Sequence, residues 1–130
     1  MINIVLREKT TKQITLAAQQ AYPQECCGIL IGKTGGTITI SDIREAINQI
    51  PEEKTKRHFE IDPMFLYQVE REIKGSDLEI VGFYHSHPDC KAIPSKQDLE
   101  YMIPGLVYAI LSVTKDGVVD IQYFQKQLPL

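Results

Sequence analysis

The chain contains 130 residues, 43% of them hydrophobic and 24% charged, which is the composition of an ordinary globular protein. Its formal net charge of −3 gives no basic field, and no apolar run approaches the roughly 20 residues of a membrane span, so neither nucleic acid nor a bilayer is an expected partner. The N-terminal residues do not read as a signal peptide, and three cysteines, two of them adjacent, do not make a disulfide framework. We therefore expect one cytoplasmic domain that spans residues 1–130.

The first half of the chain predicts a strand, a helix and a hairpin. Residues 2–6 alternate weakly between apolar and polar side chains, as a short strand does. Apolar residues recur at helical spacing over residues 10–21, and a proline ends the pattern. A Gly-Gly turn separates the apolar run 26–32 from the alternating run 37–40, which predicts a β-hairpin. Residues 41–54 continue as an irregular strand and then a polar loop.

The second half predicts four strands and two helices. Asp62 is the expected N-cap of a helix, and Pro63 is its first residue, a position where the missing N–H of proline costs no hydrogen bond. Gly75 ends that helix. The predicted helices are residues 63–74 and 95–102, and the predicted strands are residues 58–61, 78–87, 106–113 and 118–124. The elements together predict an α/β fold in which helices flank a mixed β-sheet.

A His-Ser-His-Pro motif ends the predicted strand 78–87. Side chains two residues apart leave the same face of a strand, so His85 and His87 can point at one spot. Ser95 is a suitable helix N-cap, and Asp98, one turn further, reaches that spot if the loop folds back. Two imidazoles and a carboxylate with a fourth position open are the ligands of a catalytic zinc site. Taken separately, a strand-end histidine pair without a metal and a simple helix cap explain the same residues.

The whole arrangement resembles the JAMM (MPN-plus) metalloproteases. The resemblance rests on His-x-His-Pro, a six-residue loop and Ser-x-x-Asp, with Glu25 upstream before a Gly-containing apolar run. It covers nearly the whole chain, including residues 57–63, which are similar to the strand-to-helix passage of small bacterial members. The resemblance implies an MPN fold, a cytidine-deaminase-like sandwich, and one zinc ion held by His85, His87 and Asp98.

The resemblance also implies roles for Glu25 and Ser95. In the family, the upstream glutamate accepts a proton from the attacking water and returns it to the leaving amine, which is the work of a general base and acid. The hydroxyl at the position of Ser95 helps to hold the oxyanion of the tetrahedral intermediate. The simpler alternatives are that Glu25 is a surface charge at a strand entrance and that Ser95 only caps its helix.

Three further side chains match the residue types of a metal site. Cys90 lies in the loop between two predicted ligands, and we hypothesise that it approaches the metal as an inhibitory or redox-sensitive ligand. An ordinary loop cysteine is the alternative. Cys27 alternates to the same face as Glu25, where small buried packing is its expected role. We assign His58 no metal role.

The implied reaction is the hydrolysis of an amide. Members of the family cleave peptide or isopeptide bonds after the C-terminal Gly-Gly of ubiquitin-like proteins, and some compact bacterial members act on sulfur-carrier proteins. Six residues separate Pro88 from Ser95 and no large insertion is present, which favours a small substrate protein. We hypothesise that an extended substrate tail lies along an exposed strand edge near the metal.

Three other functions compete with this one. A metal-free scaffold of the same fold would act as an interaction module, and metal analysis distinguishes it from an enzyme. A zinc deaminase of nucleobases needs Pro-Cys-x-x-Cys in addition to His-x-Glu, and the sequence lacks this cysteine motif. A phage or cell-wall endopeptidase with the same metal site is disfavoured because no signal peptide is evident. The sequence does not determine the oligomeric state.

Overall fold

A computed structural model describes residues 3–47 and 61–127. Its elements are β1 (Ile4–Leu6), α1 (Glu8–Ala21), β2 (Cys27–Lys33), β3 (Ile38–Ala46), α2 (Pro63–Ile73), β4 (Glu79–Pro88), α3 (Lys96–Tyr101), β5 (Val107–Thr114) and β6 (Gly117–Gln125). They agree with the predicted elements to within a few residues, and β3 continues to Ala46 with a register shift against β2 at Ser41, as expected of an irregular strand. The strand predicted at residues 58–61, apart from Ile61, lies outside the described residues, as does His58.

The strands form one mixed sheet in the order β1-β3-β2-β4-β5-β6. The pairs β1/β3 and β4/β5 are parallel, and the other three are antiparallel. The predicted fold class, a mixed sheet flanked by helices, is confirmed. Among the described helices, none is both long and apolar enough to cross a membrane. The topology places β4, which carries the His-Ser-His-Pro motif, at the centre of the sheet.

The two long helices cover opposite faces of this sheet. On one face, Ile14 and Ala18 of α1 join a fully buried cluster that includes Leu30. On the other, Val69 of α2 packs against Ile29 and Ile31, the neighbours of Leu30 on β2. Successive strand residues point to opposite faces, so β2, which is apolar at nearly every position, serves both cores.

A β-bulge in β4 determines which face carries the histidines. Leu30 pairs with Gly82 whereas Ile31 pairs with Ile80, so Val81 is an extra residue on β4. An extra residue shifts the alternation by one and moves every following side chain to the other face.

The histidines consequently lie on the α2 face of the sheet. Phe83, just beyond the bulge, packs in the cluster beneath α2. Alternation from Phe83 places His85 and His87 on that same face, at the end of the strand. Cys27, directly opposite His85 on β2, brings the residues that precede β2 beside the histidines.

Candidate active site

The structure brings together the three side chains predicted to bind a metal. The Nε2 atoms of His85 and His87 lie 3.1 Å apart. The Asp98 Oδ2 atom lies 3.2 Å from His85 Nε2 and 3.1 Å from His87 Nε2. The His85 side chain is 1% exposed. Two imidazole nitrogens and one carboxylate oxygen thus converge on one point at the end of β4.

The N-terminal cap of α3 fixes the position of the carboxylate. Ser95 Oγ accepts a hydrogen bond of 3.0 Å from the Asp98 backbone N–H. In return, Asp98 Oδ2 accepts one of 2.8 Å from the Ser95 backbone N–H, which completes a capping box. The predicted cap is therefore present, and it holds the same oxygen that meets the histidines. The contribution of Ser95 to catalysis stays a prediction.

The backbone fixes the tautomer of His87. Its Nδ1 atom lies 2.9 Å from the carbonyl oxygen of Lys91. A carbonyl only accepts, so Nδ1 carries the proton and donates it, and the Nε2 of a neutral His87 presents a lone pair. That lone pair faces Asp98 Oδ2, which is itself an acceptor. Such a contact is repulsive unless a proton or a cation lies between the two atoms.

The separations of the three atoms fit a metal ion. Ligand atoms bound tetrahedrally to zinc at about 2.0 Å lie about 3.3 Å from one another. The observed separations are 3.1, 3.1 and 3.2 Å. The outward hydrogen bond of His87 to a backbone carbonyl is also the orienting contact that metal-bound histidines make. The residues present therefore fit a divalent cation.

The electrostatics of the site favour positive charge at this point. Burial alone would lower the pKa of His87, but the hydrogen bonds to Asp98 and to the Lys91 carbonyl outweigh it and raise that pKa. Burial would likewise raise the pKa of Asp98, yet the contacts with His85 and His87 hold it well below its usual range. The carboxylate of Asp98 is therefore charged at every physiological pH.

Glu25 completes the cluster from the connection between α1 and β2. One ligand-capable atom from each of Glu25, His85 and His87 lies within 4.8 Å of the others. Glu25 is 4% exposed, and its Oε2 atom has no hydrogen-bond partner among the described residues. Burial, and then the charge of Asp98, raise the pKa of Glu25 to about 8. Glu25 is thus a buried group inside the site, which rules out the alternative of a surface charge.

Ser86 joins the Glu25 segment to the metal-binding strand. The backbone N–H of Cys26 donates a hydrogen bond of 2.8 Å to Ser86 Oγ. The backbone N–H of Ser86 donates one of 3.1 Å to the Cys26 carbonyl. The Ser86 side chain, on the face opposite to the imidazoles, is fully buried, so it holds the two segments together from the far side of the sheet.

A second contact between these segments could not be predicted from the sequence. Tyr22 Oη donates a hydrogen bond to the Asp89 carboxylate, 67 residues away in sequence. Pro88-Asp89 is a recognisable turn dipeptide, but no local pattern indicates its distant partner. The contact of His87 with the Lys91 carbonyl could not be predicted either, because every residue has a backbone carbonyl and no residue type indicates which one is used.

The cysteines surround the site without forming disulfides. Cys27 is buried beside His85, in agreement with the packing role expected for it. Cys90 is exposed, and its backbone is held by the hydroxyl of Ser112, which donates to the Cys90 carbonyl. The proposed approach of the Cys90 thiol to a metal stays a prediction.

The raised pKa of Glu25 predicts a pH-dependent stability of the ion-free protein. Between the ordinary value of 4.5 and the folded value of about 8, folded Glu25 retains a proton that the unfolded chain releases, so stability falls as pH rises through this window. Glu25→Gln cannot ionise and should gain stability relative to the parent by roughly 2–4 kcal/mol between pH 5 and pH 8, because one pKa unit is about 1.4 kcal/mol. Urea unfolding of both proteins in chelator at the two pH values measures this difference. Identical pH dependence of the two proteins would contradict it.

Comparison with known proteins agrees with the fold and the motif. Residues 7–124 match the Prok-JAB family, described as prokaryotic homologs of the JAB domain. A Pyrococcus furiosus protein named desampylase is 38% identical over 78 residues, which are 60% of this chain and 51% of the relative. The CysO-cysteine peptidase of Mycobacterium tuberculosis is 27% identical over 114 residues, which are 87% and 75% of the two chains. The solution structure of a Desulfitobacterium hafniense protein has a TM-score of 0.74 at 26% identity, and the match covers 97% of this chain and 92% of that one.

These matches decide the family. The chain spans about half the length of the Pyrococcus relative, whose coverage is 51%. The family match, in contrast, includes every site residue described above. The resemblance to the JAMM metalloproteases is confirmed, and the chain belongs to the family of prokaryotic JAB-domain proteins.

Proposed function

We propose that this chain is a single catalytic domain, a zinc-dependent peptidase or isopeptidase. It hydrolyses the amide bond that follows the C-terminal Gly-Gly of a ubiquitin-like protein, with a sulfur carrier as the preferred substrate. The observation that carries the proposal is the convergence of His85, His87 and Asp98 beside the buried Glu25. The relatives named desampylase and CysO-cysteine peptidase support the same chemistry.

Three side chains would hold the zinc ion. His85 and His87 offer Nε2 and Asp98 offers Oδ2, and the Lys91 carbonyl keeps the His87 lone pair turned inward. When bound, zinc polarises the scissile carbonyl and lowers the pKa of the attacking water. The capping box keeps Asp98 in place without any further contact, because both of its hydrogen bonds lie within one turn of α3.

Glu25 would move the proton. Its Oε2 atom has no competing hydrogen bond among the described residues, so it is available to accept a proton from water. Burial raises the pKa of Glu25 above that of an exposed carboxyl group, which suits a group that takes a proton from water and returns it to the leaving amine. Ser95 Oγ accepts from the Asp98 N–H, which leaves the hydroxyl hydrogen of Ser95 to donate to the oxyanion.

An open strand edge close to the site supports an extended substrate tail. Among the described residues, β1 covers only Ile38–Ile40 of β3, so the β1-facing edge of β3 is open from residue 41 to Ala46. Ala46 pairs with Cys27, and Cys27 pairs with His85. Two strand spacings of about 4.8 Å place this edge about 10 Å from His85, within reach of a substrate that adds a strand.

Removing the charge of Asp98 should remove the metal. Asp98→Asn keeps an oxygen that can accept from the Ser95 N–H, so the helix cap is retained while a charged ligand is lost. We expect zinc affinity to fall by at least about 100-fold, with little change in thermal stability of the ion-free protein. Competition with a chromophoric chelator measures the affinity.

The matched control is Glu100→Gln, which removes an exposed carboxylate on the same helix and should bind zinc like the parent. Equal affinity of Asp98→Asn and the parent would exclude Asp98 as a ligand.

The activity test uses ubiquitin-like proteins that are extended by a few residues beyond Gly-Gly. We expect cleavage after the second glycine, its loss in chelator and its recovery on addition of zinc. Glu25→Gln should retain one equivalent of zinc and lose about 100- to 10,000-fold in kcat, since proton transfer is then uncatalysed. Mass spectrometry of the products and metal analysis of the same samples give both readouts. A zinc-loaded protein that cleaves no extended substrate would contradict the proposed reaction, and a protein that binds no zinc would favour the metal-free scaffold.

Substitution of Ser95 separates capping from catalysis. Glycine is nearly as good an N-cap as serine, so Ser95→Gly should lose only a few tenths of a kcal/mol in stability. It lacks the hydroxyl, however, and kcat should fall by about 100- to 1,000-fold. Ser95→Thr, which keeps both functions, is the control. Full activity of Ser95→Gly would show that Ser95 is a helix cap alone.

A further inference from the structure

Glu25 lies between two cross-links that join its segment to the end of β4. Three residues before Glu25, Tyr22 Oη lies 2.9 and 2.8 Å from the two carboxylate oxygens of Asp89. One residue after Glu25, the Cys26 N–H donates a hydrogen bond of 2.8 Å to Ser86 Oγ. The connection that carries Glu25 is therefore tied to the metal-binding strand on both sides.

The same cross-links bracket a predicted metal ligand on the other chain segment. His87 lies between Ser86 and Asp89, the two residues that receive these hydrogen bonds. The link at Ser86 is supported by a second, backbone hydrogen bond and extends the pairing of β2 with β4. The link at Asp89 lies beyond the sheet and depends on two side chains alone. Tyr22 and Asp89 thus provide a side-chain cross-link to β4 on the side of Glu25 that strand pairing does not reach.

The backbone of Asp89 adopts an uncommon conformation at this position. Its φ of 56° lies in the left-handed region, which L-residues rarely adopt and which aspartate and asparagine tolerate best. Its N–H donates a hydrogen bond of 2.7 Å to the Val113 carbonyl at the end of β5. The acceptor of the Tyr22 hydroxyl is therefore anchored to the central sheet, although the Asp89 side chain is exposed.

We propose that Tyr22 and Asp89 are positioning residues, whose hydrogen bond holds the Glu25 carboxylate against the two imidazoles for proton transfer. The inference rests on the proposed function, since it assigns to Glu25 the role of base and acid. Proton transfer requires the base to remain within hydrogen-bond reach of the reacting group, and a displacement of about 1 Å can cost about 100-fold in rate. Loss of this one contact should therefore affect the chemical step and leave substrate binding unchanged.

Hydrogen exchange tests the positioning without any substrate. Tyr22→Phe removes one hydroxyl and keeps the ring, and Asp89→Ala removes the acceptor. In both variants, the amides of residue 22 and residues 24–26 should exchange about fivefold faster, as expected for the loss of one hydrogen bond. The amides of β5 should exchange at the parental rate. Asp89→Asn, which keeps an acceptor oxygen and tolerates the left-handed backbone, should restore the parental rate. Parental exchange rates in Tyr22→Phe would overturn the proposal, whatever the activity.

Kinetics of the zinc-loaded enzyme test the consequence. With a Gly-Gly-extended substrate, Tyr22→Phe and Asp89→Ala should each lower kcat by about 10- to 100-fold with KM and zinc content unchanged. The double variant should be no slower than either single variant, because both remove the same contact. Two matched controls should have parental kinetics. Tyr67→Phe alters a tyrosine whose ring lies beside Arg71, and Asp120→Asn alters an aspartate that accepts a hydrogen bond from Gln122.

The outcomes separate this inference from the proposed function. If the parent protein cleaves no substrate in a chelator-sensitive reaction, the proposed function fails and the exchange experiment alone decides the positioning role. If the parent cleaves and Tyr22→Phe retains its kcat, the positioning role is wrong and the function stands. A variant with lower melting temperature but parental kcat would show that the contact is structural only.

Discussion

The meeting of Asp98 Oδ2 with two imidazole nitrogens is the constraint on which the rest of the structure depends. The Nε2 lone pair of His87 and the Asp98 Oδ2 atom, 3.1 Å apart, repel unless a proton or a cation lies between them. The chain nevertheless fixes each atom from outside the cluster. The Lys91 carbonyl sets the tautomer of His87, and the Ser95 N–H holds the carboxylate of Asp98. A site held this firmly in a repulsive arrangement is prepared for a cation.

The sheet delivers Glu25 to this site by strand pairing. The bulge at Val81 turns the histidines toward the α2 face, and the pairing of Cys27 with His85 sets the distance along the strand. Glu25, two residues before Cys27, then enters from the neighbouring strand and remains buried. The bulge therefore decides whether Glu25 and the two histidines share one face of the sheet. The register between β2 and β4 thus links the fold to the arrangement of side chains in the site.

The sequence predicted the parts of the site that obey local rules. Two-residue alternation brought His85 and His87 together, and the capping pattern placed Asp98 one turn into α3. It could not predict contacts between common residue types far apart in the chain, such as Tyr22 with Asp89. The end of β3 at Ala46 also could not be predicted, because the register shift against β2 at Ser41 interrupts the alternation of apolar side chains. Non-local pairing, and not propensity, decided these features.

The two carboxylates of the site differ in environment, and the environment assigns their roles. Asp98 Oδ2 receives the Ser95 N–H and contacts both imidazoles, so its charge is stabilised and its pKa is low. Glu25 is more deeply buried, faces the charge of Asp98 and receives no hydrogen bond at Oε2, so its pKa rises to about 8. A buried carboxylate binds a proton more tightly than a hydrogen-bonded one, so Glu25 is the stronger base of the two. In the proposed function, hydrogen bonding and burial therefore decide which carboxylate binds the cation and which moves the proton.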